Sequence, residues 1–192
     1  MAIIVESGAG IVGADSYLAP AEADAHHAAF GWAGWAAASI QAREAALRRA
    51  TLAIDGLFAG RWRGHKAVPW TVNVLAWPRS GVRDETGAAI VADGAIPYGL
   101  KVAVAEAARL ELEQPGALAE AMRRLRRFTL GPLAVELADG GQGGSGEGAG
   151  VPPTVALPLA PLLRPAAPAP RLPASSAGAP AFRVGMHDGG RS

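Results

Sequence analysis

From residue 140 to residue 192 the chain is dominated by Gly, Pro and Ala. Such a stretch has too little apolar side chain, and too many residues that break regular backbone, to offset the entropy of ordering itself. A core therefore has to come from residues 1–139, and any burial of the C-terminal third has to come from other molecules. Within that third, residues 140–150 read as a flexible Gly-rich linker. Residues 151–192 read as an extended Pro-rich tail contacting partner subunits. Leu157, Leu159, Leu162 and Leu163 are its apolar anchors. Phe182, Val184 and Met186 form a second short run able to add a strand to a partner.

The body reads as mainly α: a small helical bundle with a short β-strand or hairpin element. Pro20, followed by Glu22 and Asp24, suits the first turn of a helix that ends near Phe30-Gly31. Ser39 is a good N-cap for a second helix. Its apolar side runs Leu47, Ala50, Thr51, Ile54, Leu57 and Phe58, close to the i, i+3, i+4, i+7 spacing. Pro97 starts a third helix with Leu100, Ala103, Val104, Ala107 and Leu110 on one stripe, interrupted at Pro115-Gly116. A fourth carries Leu118, Ala121, Met122 and Leu125. Ala2–Val5 and the alternation Leu133, Val135, Leu137 are the strand signals. Residues 69–95, broken by Pro69, Pro78, Gly81, Gly87 and Gly94, read as a long ordered loop pinned to the body by Trp70 and Trp77.

Charge excludes one class of function and leaves others open. The net charge is +1. Residues 140–192 hold four arginines against one Glu and one Asp, so residues 1–139 carry a net −1. Neither part has the strong basic balance of a protein that grips a polyanion by net charge alone. There is no Cys, hence no disulfide and no thiolate metal site. No basic, apolar leader opens the sequence, and the longest weakly polar run is about half of a bilayer span. A soluble protein without a membrane is expected.

No catalytic constellation emerges. His26, His27, His65 and His187 lack a recognisable nucleophile elbow. Gly8-Ala9-Gly10-Ile11-Val12-Gly13 spells G-x-G-x-x-G but has no βαβ frame around it. Glu22 and His26 lie one helical turn apart, with His27 adjacent, yet two ligands at that spacing fall short of a metal site. No cofactor, metal or enzymatic activity is expected. Arg123, Arg124, Arg126 and Arg127 suit a solvated helix end, or else contact with nucleic acid or an acidic protein. Arg61-Trp62-Arg63 either closes the core or stacks bases through aromatic and cation–π contacts. Arg79, after Trp77-Pro78, sits at a corner that can face a partner.

A series of motifs occurs in a fixed order. It runs Ile3-Ile4-Val5-Glu6, Asp15-Ser16-Tyr17 with Ala23-Asp24-Ala25, then Ala45-Ala46-Leu47-Arg48-Arg49-Ala50-Thr51 with Ile54-Asp55. Arg61-Trp62-Arg63-Gly64, Leu75-Ala76-Trp77-Pro78-Arg79, Ile96-Pro97 and Gly131-Pro132-Leu133 follow. Over residues 1–139 the series resembles the head–tail connector or adaptor proteins of tailed bacteriophages, some relatives of which are labelled DnaT-like single-stranded-DNA-binding proteins.

The resemblance implies a structural subunit of the virion neck, made in the host cytoplasm. Such subunits form a ring, usually of twelve copies, between the portal protein and the next neck or tail-terminator protein. The ring extends the channel and touches packaged double-stranded DNA in passing. Arg61, Arg63, Arg79 and Arg123 to Arg127 would then be DNA-channel or portal contacts. The alternative is a single-stranded-DNA-binding, primosome-like accessory protein resting on Arg61-Trp62-Arg63 and the Arg123–Arg127 run.

Overall fold

Ser39 is extended, and its Oγ accepts the Ala42 N–H at 3.2 Å. That bond satisfies one of the orphan donors at the start of a helix. The computed structural model of the chain describes residues 2–129 and 151–165, the side chains of 124–129 excepted. Its helices in chain order are α1 (Pro20–Ala29), α2 (Ala33–Ala37), α3 (Ile40–Leu57), α4 (Tyr98–Glu113), α5 (Ala117–Thr129) and α6 (Pro153–Ala156). A 3-10 turn, Leu157–Leu162, follows α6. The chain is mainly α, as its periodicity implies. No helix among the described residues is long and apolar enough to cross a membrane.

Helices α3 and α4 form the centre. Ala46, Leu47, Ala50, Thr51, Ala53 and Ile54 of α3 are buried, as are Leu100, Ala103, Val104, Ala107 and Ala108 of α4. Alanines in the contact let the two axes approach closely, because interaxial distance is set by side-chain size. Glu111, also buried, joins three elements. It accepts from Arg49 Nε at 3.0 Å, from Gly116 N at 2.7 Å and from Leu118 N at 3.0 Å. One carboxylate thus pairs with α3 and caps the positive end of α5. Helix α2, for which the sequence gives no periodic signal, buries Trp35 and holds it through an Nε1 bond to Asp24 of 2.7 Å.

The hairpin element is present, but elsewhere than expected. Strands β1 (His65–Lys66) and β2 (Arg79–Ser80) pair antiparallel with His65 opposite Ser80. Ala2–Val5 forms no strand and contributes a single parallel bridge, Val5 to Ser16. Glu6 explains that local geometry. Its buried carboxylate accepts the N–H groups of Gly8, Gly10 and Ile11 at 2.7–2.9 Å and also the Asn73 side-chain amide. The G-x-G-x-x-G loop is therefore an anion-binding nest filled by the chain's own carboxylate. The run Leu133, Val135, Leu137 lies outside the described residues.

The largest correction concerns the tail. Val155, Leu159, Leu162 and Leu163 belong to the same core as α3 and α4. Main-chain bonds fix the segment: Arg63 N to Leu162 O at 2.9 Å and Arg164 N to Arg61 O at 2.7 Å. Gly99 permits the approach, since a Cβ there would lie 2.4 Å from the Pro158 carbonyl oxygen. Residues 151–165 thus complete the body rather than leave it, and the core draws on sequence beyond residue 139. Leu159, Leu162 and Leu163 are anchors within the chain, not partner contacts. Leu157 stays 71 % exposed. Phe182, Val184 and Met186 lie outside the described residues.

Candidate nucleic-acid interface

Three of the five tryptophans are core residues, and their packing decides which others are available. Trp62 is 3 % exposed and meets Phe58 and Trp77 edge-on, each at 5.8 Å between ring centroids. Trp77 is fully buried, and the Trp77–Pro78 peptide is cis. Neither ring can take a base on its face. Trp70 differs. Instead of pinning its loop as expected, it is 62 % exposed, with Lys66 Nζ 4.3 Å from the ring centroid.

Trp70 stands at a groove of about 570 Å³ formed where the end of α3, the β1–β2 hairpin and residue 164 converge. His65, Lys66, Arg79 and Arg164 line it, against Asp55 among the acids. Arg61, one residue beyond the lining residue Gly60, is exposed. Burial pushes both Lys66 and Arg79 below their usual pKa, and the neighbouring Arg164 charge adds to the effect on Arg79. Arg79 and Arg164 both donate to the Gly64 carbonyl, at 2.9 and 3.3 Å, and two like charges side by side favour an anion beside them.

Asp55 offsets part of this charge, its carboxylate holding Lys66 and Arg79 up against their burial. Its carboxylate accepts the Tyr17 hydroxyl at 2.8 and 3.0 Å and the Ala76 N–H at 2.8 Å. Burial raises its pKa from 3.8 to about 6, partly opposed by those bonds and by Lys66 and Arg79. Tyr17 in turn accepts the Trp77 N–H at 3.0 Å, so Asp55 and Ala76 at the groove are tied into the core beneath it. An exposed indole beside converging cations over a rigid floor suits a base and its phosphate.

The model of the family described as "Putative DnaT-like ssDNA binding protein" matches residues 1–178. The chain belongs to that family. No curated protein and no solved structure matches it.

The arginines singled out in the sequence of this family member separate into two groups. Arg63 is structural: its guanidinium donates to the carbonyls of Leu163 and Arg83 and pairs with Glu85. Arg79 lines the groove but spends its donors on the carbonyls of Arg63, Gly64 and Ala76. Arg61 and Arg164 leave charge free at the surface, although Arg164 also reaches the Gly64 carbonyl at 3.3 Å. Arg123 lies on α5, exposed, in an ion pair of 2.7 Å with Glu120. The side chains of Arg124, Arg126 and Arg127 lie outside the described residues. Sequence reasoning missed Trp70, Lys66, His65 and Arg164 as a group. The one available signal was Trp70 directly after Pro69, four residues beyond Lys66.

Glu22 and His26, one helical turn apart, do not pair with each other among the described residues. Glu22 turns to Lys101 at 2.7 Å, and His26 Nε2 contacts Glu106 Oε1 on α4 at 2.8 Å. Burial lowers the adjacent His27 to about 4, so its ring is neutral at neutral pH.

Proposed function

We propose that the chain binds single-stranded DNA through the Trp70 groove, as a binding protein rather than an enzyme. Trp70 stacks on a base, while Lys66, Arg164, Arg61 and His65 take the flanking phosphates. The observation that carries this reading is the exposed Trp70 ring, held beside Lys66 at the mouth of a groove whose cations outnumber its acids. The family to which the chain belongs, described as binding single-stranded DNA, supports the same reading. Stacking tolerates any base, so little sequence preference is expected.

Titration of a labelled oligothymidine at low and moderate salt tests it. Binding should weaken as salt rises, because phosphate contacts release counterions. Trp70→Ala should weaken it roughly 5–150-fold, the equivalent of about 1–3 kcal/mol per stacked base. Absence of binding at low salt, or an unchanged Trp70→Ala titration, overturns the assignment.

A second reading keeps the neck ring implied by the motif order, with portal and tail-terminator neighbours and a virion location. It is favoured by apolar exposure at Phe30 and Tyr98, which line one groove, and at Leu157 beyond it. Closed rings need such head-to-tail surfaces. Mass spectrometry of purified particles from a producing host tests it, and absence of the chain from the particle ends it.

A further inference from the structure

We propose that His26, His27 and Glu106 form a Zn2+ site between α1 and α4. The donor atoms of these three side chains all lie within 4.8 Å of one another. His27 is 1 % exposed, yet neither ring nitrogen has a hydrogen-bond partner of normal geometry among the described residues. An imidazole so enclosed lacks the interactions that offset its desolvation, unless one nitrogen serves a ligand.

The chemistry of the set fits. Two neutral imidazoles and one carboxylate are the three-ligand complement of an open zinc site, with metal–donor bonds of about 2.0–2.2 Å. Reaching that geometry, with donors about 3.3–3.6 Å apart, closes the wider separations and parts His26 Nε2 from Glu106 Oε1, replacing their 2.8 Å bond with metal bonds. Ala105, whose carbonyl lies against His27, is placed to take the N–H that does not ligate, which would fix the ring's tautomer. Glu106 has a second oxygen, 3.7 Å from Arg109 Nε. That arginine is itself drawn aside, over the Trp32 ring at 4.4 Å and onto Glu113 at 2.8 Å. Two grooves reach the cluster, one lined by His27 with Trp32 and Trp35, the other by His26 with Phe30. They give the ion and a fourth ligand a way in.

The sequence places His26 and His27 side by side, with Glu22 one turn away, a set that falls short of a metal site. The third ligand instead comes from α4, eighty positions along. The test is titration of the untagged full-length chain with Co2+, a spectroscopic stand-in for zinc. Visible absorption of tetrahedral Co2+ should rise to one equivalent and be displaced by Zn2+. His27→Gln and Glu106→Gln should each weaken binding by about tenfold or more, with circular dichroism confirming that both are folded. His65→Gln should leave it unchanged. Failure of the native chain to develop the bands, or their persistence at native affinity in folded Glu106→Gln, overturns the proposal. If His27→Gln does not fold, Glu106→Gln decides alone.

Discussion

The backbone of Trp62 pairs with that of Leu163 in an isolated antiparallel bridge. Beside it, Arg63 Nε donates to the Leu163 carbonyl at 3.0 Å. The exit from α3 is thereby joined to the far end of the described chain. A segment whose composition suggests detachment is held by main-chain bonds as well as by buried leucines.

Gly99→Ala should loosen this junction. Its new methyl would press on the Pro158 backbone, which has no flexible side chain to yield. Overpacking of this kind costs about 1–3 kcal/mol. Leu159→Ala, which empties a fully buried position, should cost about 2–5 kcal/mol. Urea unfolding of both variants checks the pair. If neither variant changes the midpoint, residues 153–162 do not contribute to stability.

Trp62 and Trp70 should behave oppositely. Trp62→Ala removes a ring packed between Phe58 and Trp77 and should destabilise by about 3–5 kcal/mol. Trp70→Ala should shift stability by no more than about 0.5 kcal/mol while weakening DNA binding. Thermal melts of the two variants, compared with the oligothymidine titration, separate the roles. A Trp70→Ala variant as unstable as Trp62→Ala would place Trp70 in the core instead.

Asp55 predicts a pH dependence whose sign follows from its raised pKa. The carboxyl titrates at about 6 in the fold against 3.8 ordinarily. Its protonated form therefore favours folding. The resulting stability is full below about 3.8 and is lost as pH rises through about 6. The shift corresponds to about 1–3 kcal/mol after allowance for the groove's solvent. Asp55→Asn should gain stability relative to the native chain between pH 4 and pH 7. Parallel urea-midpoint profiles for the two proteins would show that Asp55 titrates normally.

Glu6→Ala should be among the most damaging single changes. It strands three backbone donors and the Asn73 amide, and orphaned buried donors cost about 1–3 kcal/mol each where water does not replace the partner. A loss of at least about 3 kcal/mol is expected in denaturant unfolding, with amide exchange accelerated at Gly8, Gly10 and Ile11.

Much of the helical frame was legible because its signals are local. Ser39 caps α3 through a neighbour three residues away, and the stripe from Leu47 to Ile54 repeats within the helix itself. Pro97 and Pro115-Gly116 likewise mark α4. The site was not legible, because it depends on contacts distant in sequence. In sequence Trp62 is the candidate base stacker and Trp70 a pin for its loop, until Phe58 and Trp77 enclose the first and the second stands exposed. Leu159 reads as a free anchor until Gly99 allows Pro158 close to α4. Glu106 looks like one more helix-surface acid, and only the packing of α1 on α4 sets it against His26.

Glu6 links the turn at Gly8–Ile11 to Asn73, three residues beyond Trp70. Traction on the first few residues is therefore transmitted toward the indole. Tethering the protein to a sensor chip by its amino end would disturb the surface under study. A handle at Gly34, exposed on α2 where a side chain would touch nothing within 4 Å and the backbone is already helical, would leave that surface undisturbed.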